Sequence, residues 1–269
     1  MSKLSFAKYA FAKYEGAGND FILIDDRPLF FPSKDSNFIQ RLCHRKFGIG
    51  ADGVILLQKD SSAHFRMRIF NSDGSEAESC GNGLRCLLRF IDDLGLPREN
   101  YSIAADQRIV EAGFEKNQVA IKMGPPADIK LNLHVDGQEV HFINTGVPHA
   151  VLFVSDVASI DVQKAGAHLR SHPQFGPKGT NVNFASLQKE GSIRVRTFER
   201  GVEGETLACG TGAAAVGVIA SLTQATKSPI LLHFPGGTLE IHFQKKDFSD
   251  LKLVGPARRI CSGIYENDQ

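Results

Sequence analysis

The sequence predicts a mixed α/β (α+β) protein of two similar domains, each with several strands and one buried helix. Both halves of the 269-residue chain combine strand-like and helical segments, as in the mixed α/β class. A Cys-Gly-x-Gly sequence opens an apolar run twice, at Cys80 and, 129 positions later, at Cys209. A chain of this length can form two cores of about 130 residues each. The paired motifs therefore favour two domains over one.

The first half of the chain begins with segments rich in β-branched and aromatic residues, which predict strands. These strands span 7–14, 21–25, 53–57, 65–70 and, as a short pair, 108–123. The run 38–47, followed by Gly48, predicts a short helix, and the apolar run 84–91 predicts a buried one. Gly124-Pro125-Pro126 then interrupts the chain strongly enough to mark a domain boundary.

The second half repeats this order of elements. Strands are predicted at 131–135, 139–145, 150–154 and 182–187, with a helix at 162–169. The segment 193–198 matches 65–70, because Phe70 lies 10 residues before Cys80 and Phe198 lies 11 before Cys209. Nearly fixed spacing of strand, loop, cysteine and helix indicates an internal duplication. We place the domains at 1–126 and 127–256, and the tail 257–269 can return to the first.

Composition limits the classes of partner. The chain has 31 basic and 30 acidic residues without a run of like charge, so neither nucleic acid nor a membrane is expected to bind. No apolar stretch reaches the ~18–20 residues of a membrane span, and the N-terminus lacks the apolar region of a signal peptide. Five cysteines, an odd number, do not form a disulfide framework. We expect a cytoplasmic protein that binds a small polar molecule, and a homodimer stays open.

The two cysteines at predicted helix starts carry the chemistry. Glycine allows close approach there, and the unpaired N–H groups and helix dipole favour negative charge, so the thiols should ionise easily. Inversion of a carbon centre needs a proton removed from one face and delivered to the other, which two facing thiols can do. The N–H groups of Gly81, Asn82, Gly210 and Thr211 could hold the carboxylate that takes up the carbanion charge.

Seven motifs in order resemble the diaminopimelate epimerase family of cofactor-independent amino-acid epimerases, almost end to end. They are Gly16-Ala17-Gly18-Asn19-Asp20-Phe21, Gly48-Ile49-Gly50-Ala51-Asp52-Gly53, Phe70-Asn71-Ser72-Asp73-Gly74-Ser75-Glu76, Cys80-Gly81-Asn82-Gly83, Thr180-Asn181-Val182-Asn183-Phe184, Glu199-Arg200-Gly201 and Cys209-Gly210-Thr211-Gly212. The resemblance implies two similar domains, each a mixed sheet wrapped around a central helix, with the active site in the cleft between them. It further implies epimerisation of LL-diaminopimelate to the meso form, a step towards lysine and peptidoglycan precursors.

The resemblance also implies roles for individual residues. Cys80 and Cys209 match the base and acid pair, and His149 with Glu199 matches the residues that assist the thiols. The expected substrate contacts are Asn19, Asn71, Asn181, Glu199 and Arg200.

One departure from the family concerns Val147. The family usually has Gly-Asn-Pro-His where this chain has Gly146-Val147-Pro148-His149, so an apolar side chain replaces an amide expected at the non-reacting end of the substrate. An unpaired buried polar group costs ~1–3 kcal/mol. Discrimination between diaminopimelate and a shorter amino acid such as glutamate could therefore be weaker.

Other classes of protein stay open at this point. A glutamate- or proline-type racemase, or a carbon–carbon double-bond isomerase, could share the architecture, and a thiol-redox or small-molecule-binding protein is the third class. A redox protein would be expected to carry Cys-x-x-Cys, which the sequence lacks. Neither a dinucleotide fingerprint nor a metal-ligand cluster is evident, so we expect no cofactor and no metal. Cys43, Cys86 and Cys261 are predicted to be ordinary thiols.

Overall fold

The structure is a computed structural model that describes residues 7–77 and 81–267, so Cys80 lies outside the described residues. Its helices are α1 (Ser36–Cys43), α2 (Gly81–Asp93), α3 (Val162–Arg170) and α4 (Gly210–Thr223). Its strands are β1 (Ala7–Gly16), β2 (Asn19–Asp25), β3 (Gly53–Gln58), β4 (Phe65–Asn71), β5 (Glu76–Ala77), β6 (Tyr101–Ala105), β7 (Arg108–Glu115), β8 (Gln118–Lys122), β9 (Ala127–Val135), β10 (Gln138–Asn144), β11 (Pro148–Phe153), β12 (Asn181–Leu187), β13 (Ile193–Glu199), β14 (Gly204–Thr206), β15 (Ile230–Phe234), β16 (Gly237–His242), β17 (Lys252–Gly255) and β18 (Arg258–Asn267).

The chain divides into two compact units, Met1–Val119 with Ala257–Gln269 and Ala120–Pro256. The division precedes Gly124-Pro125-Pro126, where the sequence places it. Strand β8 pairs with β17, and the Met123 N–H donates to the Leu251 carbonyl at 2.8 Å, which ties this segment to the second unit. The C-terminal strand β18 pairs antiparallel with β1 and so belongs to the first unit.

Each unit has the same scheme of strand pairing. In the first unit, β1–β2 is antiparallel, β2–β3 parallel and β3–β4 antiparallel, and β4 also pairs with β5 and, in parallel, with β6. In the second unit, β10–β11, β11–β12 and β12–β13 repeat this order, and β13 pairs with β14 and, in parallel, with β15. Parallel neighbours need a crossover, which α1 and α2 supply in the first unit and α3 and α4 in the second. The predicted internal duplication is confirmed.

Each unit also has one helix that strands surround. Helix α2 packs against β1–β4 and β18, and α4 packs against β10–β12 and β15–β17. In α4, Gly210 and every residue from Gly212 to Ala220 are buried, as expected for a helix that is apolar on all sides. The predicted α/β class, with a mixed sheet around a central helix in each of two similar units, is confirmed.

Helix α1 is shorter than the predicted span 38–47. It begins after the N-cap Asp35 and ends at Cys43, because His44 adopts an extended conformation with ψ of 118° and donates its N–H to the Arg41 carbonyl. The Gly48 N–H then donates to the His44 carbonyl at 2.8 Å. Gly48 therefore closes a turn after the helix rather than the helix itself.

The part of the chain that the structure describes contains neither a candidate membrane helix nor a candidate metal site. None of its helices is long and apolar enough to cross a membrane. Within 7–77 and 81–267, no three His, Cys, Asp or Glu residues are grouped so that they could hold a metal ion.

Candidate active site

The second unit gathers three predicted site residues at one end of its sheet. His149 on β11 is paired with Asn181 on β12. The next pair, Val182 with Phe198, places Glu199 of β13 beside Asn181. Cys209 is the N-cap of helix α4, and Thr211 connects it to His149 at this end of the sheet.

Cys209 lies at the start of α4, as the sequence predicts. Its Sγ accepts the Gly212 N–H at 3.4 Å and lies 3.5 Å from the Thr211 Oγ1. A Cβ on residue 212 would lie 2.5 Å from the Asn183 Oδ1 and 3.3 Å from the Cys209 Sγ. Glycine at 212 therefore lets the thiol and the Asn183 amide approach the first turn of the helix together.

The prediction that a thiol at the helix start ionises easily is wrong for Cys209. Burial raises its pKa well above the ordinary value, and the neighbouring Glu199 carboxylate raises it further. The Thr211 hydroxyl and the Gly212 N–H act in the opposite direction. The residue is only 6% exposed, so loss of hydration outweighs the helix dipole. With its pKa raised in this way, Cys209 is expected to be a protonated thiol at pH 7.

Glu199 is the acceptor for that thiol proton. Its carboxylate hydrogen-bonds the Cys209 thiol and accepts the Thr206 Oγ1–H at 2.5 Å. Burial raises the pKa of Glu199, and these two hydrogen bonds lower it. Acid, acceptor and orienting hydroxyl are thus held together, as in sites of general acid–base catalysis.

His149 is fully buried, with a fractional exposure of 0%. Its Nε2 lies 3.0 Å from the Thr211 Oγ1, and its Nδ1 lies 3.1 Å from the Asn183 Nδ2. Burial lowers the pKa of His149 to about 3, and the nearby positive charge of Arg200 contributes to the shift. The imidazole is therefore neutral at pH 7 and reaches the thiol through Thr211.

The low pKa of His149 predicts a specific loss of stability in acid. Because the folded state favours the neutral ring, His149 contributes fully to the free energy of unfolding above pH 6.5. This contribution is lost as the pH falls from 6.5 to about 3. Its full size is about 5 kcal/mol, from about 1.4 kcal/mol per pH unit. We expect the free energy of unfolding, measured with urea at several pH values, to fall less steeply for His149→Gln than for the wild type. Equal slopes for the two proteins would contradict the assignment.

Asn181 and Arg200 shape the turn after β13. The Asn181 Oδ1 accepts the Arg200 N–H at 2.8 Å. The Arg200 Nη1 lies 3.4 Å from the Gly179 carbonyl and 3.5 Å from that of Lys178. Asn181 is thus a turn-forming amide here, and its contact with a substrate, like that of the Arg200 guanidinium, stays a prediction.

Besides Cys80, which is not described, the first unit contains four of the predicted site residues. Asn19 begins β2 opposite Gly16. Asn71 ends β4 in a tight turn, where its Nδ2 donates to the Ser75 Oγ at 3.0 Å. Gly81 is the exposed first residue of α2, and the Oδ1 of the buried Asn82 accepts from the Arg85 guanidinium at 2.9 Å. Their roles towards a substrate stay predictions.

Two of the family motifs meet through a charged cluster beside Asn19. The N–H groups of Asp20 and Asp52 each donate to the carboxylate of the other, at 3.2 and 3.0 Å. Arg45 and Lys13 bind the Asp20 carboxylate at 2.8 and 2.9 Å. Burial raises the pKa of Asp20, but Arg45 and Lys13 outweigh this effect and lower the pKa to about 2. The cluster holds the loop that carries Asn19.

The sequence did not predict a role in the site for Asn183. Asn183 has no exposed surface, and it bridges His149, Thr197 and the Ala150 carbonyl. The available signal was polar residues inside β12, whose first six residues are all buried, because buried amides need partners.

The first turn of α4 leaves two donors for a ligand. The N–H groups of Gly212 and Ala213 donate to the Sγ and the carbonyl of Cys209. Among the residues that the structure describes, none accepts the N–H of Gly210 or Thr211. Such groups at a helix start bind carboxylates well.

The chain shares its fold with solved proteins that carry different names. A phenazine biosynthesis protein of the PhzF family from Bacillus anthracis superposes with a TM-score of 0.74 at 13% sequence identity, over 97% of this chain and 99% of the other. A hydroxyproline epimerase from Agrobacterium vitis superposes with a TM-score of 0.66 at 14% identity, over 97% and 93%. Identities this low establish the shared fold alone.

Sequence comparison identifies the family to which the chain belongs. The model described as "Diaminopimelate epimerase" matches residues 11–129 and 141–260. The diaminopimelate epimerase of Methanocella arvoryzae is 42% identical over 280 residues, which cover 97% of this chain and 98% of the relative. That of Aquifex aeolicus is 40% identical over 269 residues, covering 94% and 96%. The chain belongs to the diaminopimelate epimerase family.

Proposed function

We propose that this protein is an isomerase that epimerises LL-diaminopimelate to meso-diaminopimelate without a cofactor. Its family membership and about 40% identity to diaminopimelate epimerases over most of the chain support the substrate. The site observation that carries the reaction type is the position of the buried Cys209 thiol at the start of α4, beside Glu199 and the N–H groups that begin the helix.

The chemistry of inversion assigns roles to these groups. The Cys209 thiol delivers a proton to the α-carbanion, while the Gly210 and Thr211 N–H groups stabilise the charge that the substrate carboxylate takes up. Because the proton leaves from the opposite face, a second group must act as the base. We propose Cys80 for this role, since it occupies the matching position of the internal repeat, with the Gly81 and Asn82 N–H groups following it.

The alternatives differ in the substrate that they predict. A proline-type racemase would act on a cyclic amino acid, and a double-bond isomerase would not need an amino acid at all. The solved structures with those names share 15% sequence identity or less with this chain, whereas the diaminopimelate epimerases share about 40%. The proposal therefore favours diaminopimelate.

The direct test incubates the purified protein with LL-diaminopimelate, L-glutamate or L-proline and separates the stereoisomers by chiral chromatography. We expect the meso form to appear from LL-diaminopimelate until the two forms reach equilibrium, with much slower change of the other amino acids. Racemisation of proline or glutamate at a higher kcat/KM than that of diaminopimelate would contradict the proposed substrate.

Val147 supplies the specificity prediction. It is half-buried in the turn between β10 and β11, and its carbonyl accepts the Thr145 N–H at 3.2 Å. The Thr145 hydroxyl in turn donates to the Thr211 carbonyl at 2.8 Å, which places this turn beside the start of α4. We expect Val147→Asn to raise kcat/KM for diaminopimelate by up to about 10-fold, the worth of one hydrogen bond, and to change the rates on glutamate little.

The matched control is Val202→Asn, which adds the same amide at an exposed position between β13 and β14. It should leave kcat/KM for diaminopimelate unchanged. If Val147→Asn gains nothing, or slows every substrate equally, Val147 is a packing residue and the specificity account is wrong.

Compartment and partners complete the proposal. A pair of catalytic thiols must stay reduced to exchange protons, so we place the protein in the reducing cytoplasm. The proposed partner is the amino-acid substrate, with neither nucleic acid nor a membrane, and the assembly state stays open to a homodimer.

A further inference from the structure

The buried amide of Asn183 has an orientation that its neighbours determine. Its Nδ2 lies 3.0 Å from the Ala150 carbonyl, which can only accept a hydrogen bond. Its Oδ1 lies 2.9 Å from the Thr197 Oγ1, whose hydrogen can point to it. The NH₂ group of Asn183 therefore faces Ala150, and on the same side it lies 3.1 Å from the Nδ1 of His149.

This orientation determines the tautomer of His149. Because the Asn183 NH₂ is a donor, the Nδ1 of His149 must be the acceptor, and the neutral ring carries its hydrogen on Nε2. That Nε2–H donates to the Thr211 Oγ1, 3.0 Å away. With one lone pair occupied in this way, the hydroxyl hydrogen of Thr211 can point to the Cys209 Sγ at 3.5 Å.

We propose that Asn183 is a positioning residue of the epimerase reaction: it fixes His149 as the Nε2–H tautomer, so that the Thr211 hydroxyl donates to the Cys209 Sγ. The inference rests on the proposed function, which makes Cys209 a proton donor. Asn183 itself acts only through His149 and Thr211.

The direction of the hydrogen bonds that lead from Asn183 through His149 and Thr211 to Cys209 matters after the thiol has given up its proton. The thiolate then lies beside the Glu199 carboxylate and within a buried site, and both features disfavour it. Two donors can offset them, the Gly212 N–H at 3.4 Å and the Thr211 hydroxyl at 3.5 Å. The first is fixed by the backbone, whereas the second depends on His149 being a donor rather than an acceptor. Asn183 therefore helps to stabilise the thiolate without placing another charge near it.

The variant Asn183→Asp should reverse the direction of these hydrogen bonds with almost no change in the shape of the side chain. A carboxylate offers no donor to His149, so the ring should carry its hydrogen on Nδ1 and accept from Thr211 with Nε2. The Thr211 hydrogen then points away from the Cys209 Sγ. We expect kcat for diaminopimelate to fall about 10- to 100-fold, the worth of one hydrogen bond to a charged group, with little change in KM.

Two controls separate this effect from a loss of folding. Ser186→Ala removes another buried polar side chain from β12, away from His149, and should leave kcat unchanged. Thr211→Val should reproduce the fall in kcat, whereas Thr211→Ser, which retains the hydroxyl and the backbone N–H, should restore most of it. The two Thr211 variants test the hydrogen bond from the Thr211 hydroxyl to the Cys209 Sγ even if Asn183→Asp does not fold.

The direct readout is the tautomer of His149, measured by ¹⁵N NMR of protein labelled at histidine, with the signal assigned by its loss in His149→Gln. We expect the Nε2–H form in the wild type and in Ser186→Ala, and the Nδ1–H form in Asn183→Asp. If the wild type epimerises diaminopimelate with His149 in the Nδ1–H form, the role of Asn183 is wrong but the proposed function stands. The same holds if Asn183→Asp has the reversed tautomer and an unchanged kcat. A folded wild type that does not epimerise diaminopimelate overturns the proposed function first, and the role with it.

Discussion

Replacing Cys209 by alanine is expected to reduce the rate of epimerisation of diaminopimelate by at least about 10⁴-fold, the upper end of what one general acid–base group contributes. The loss should be this large because Cys209, at the start of α4, is the proposed proton donor on one face of the α-carbon, and alanine has no proton to deliver. The measurement is kcat from LL- to meso-diaminopimelate, followed by chiral chromatography. Far-ultraviolet circular dichroism should show that the fold is retained, since the Sγ makes only weak contacts.

Two further cysteine variants sharpen this result. Cys80→Ala should lose as much activity as Cys209→Ala, because net inversion needs both proton carriers. Cys261→Ala removes an exposed thiol on β18 and should retain wild-type kcat. Near-normal turnover in either Cys80→Ala or Cys209→Ala would refute the two-thiol mechanism.

The second large effect is expected for Glu199→Gln, with kcat lower by about 10²- to 10³-fold, within the range of general acid–base catalysis. The amide oxygen accepts the hydrogen of the Cys209 thiol less strongly than the carboxylate does, and in the meso-to-LL direction, where Cys209 is the base, it cannot take up the thiol proton. It also removes a negative charge that, after burial, raises the pKa of Cys209, so the pKa of the thiol should fall. Activity that depends on the protonated thiol should then be lost at lower pH than in the wild type, and a pH–rate profile measures this shift.

The matched control for this variant is Glu205→Gln. Glu205 lies on the neighbouring strand β14 and binds the Arg196 guanidinium at 2.6 Å, away from the thiol. It should preserve both kcat and the pH profile. If the alkaline limb of the Glu199→Gln profile moves to higher pH, the carboxylate does not act on Cys209 as described.

The repeated architecture could be predicted from sequence because its signals are local. The glycine-rich starts of α2 and α4 and the matching strands β4 and β13 carry their own spacing and apolar pattern. The end of α1 was less predictable, because a polar turn from His44 to Gly48 continues the helical pattern past the point where the backbone becomes extended.

The charge state of Cys209 could not be predicted from its motif. A helix start lowers the pKa of a thiol, but here burial and the Glu199 carboxylate outweigh that effect and raise the pKa of Cys209. Both effects come from β13 and from the packing around α4. The role of Asn183 was hidden for the same reason, since its three partners lie on β11 and β13.

The central claim, that two different groups move the proton on the two faces of the α-carbon, is tested most directly in deuterated water. LL-diaminopimelate is incubated with the wild-type protein, and the first few per cent of turnover is analysed by mass spectrometry after separation of the stereoisomers. We predict that the meso product carries one α-deuteron, while the remaining LL substrate stays unlabelled, because the delivered proton comes from a group that has exchanged with solvent. A meso product that retains the original proton would show that one group removes and returns it, and would contradict the two-thiol account.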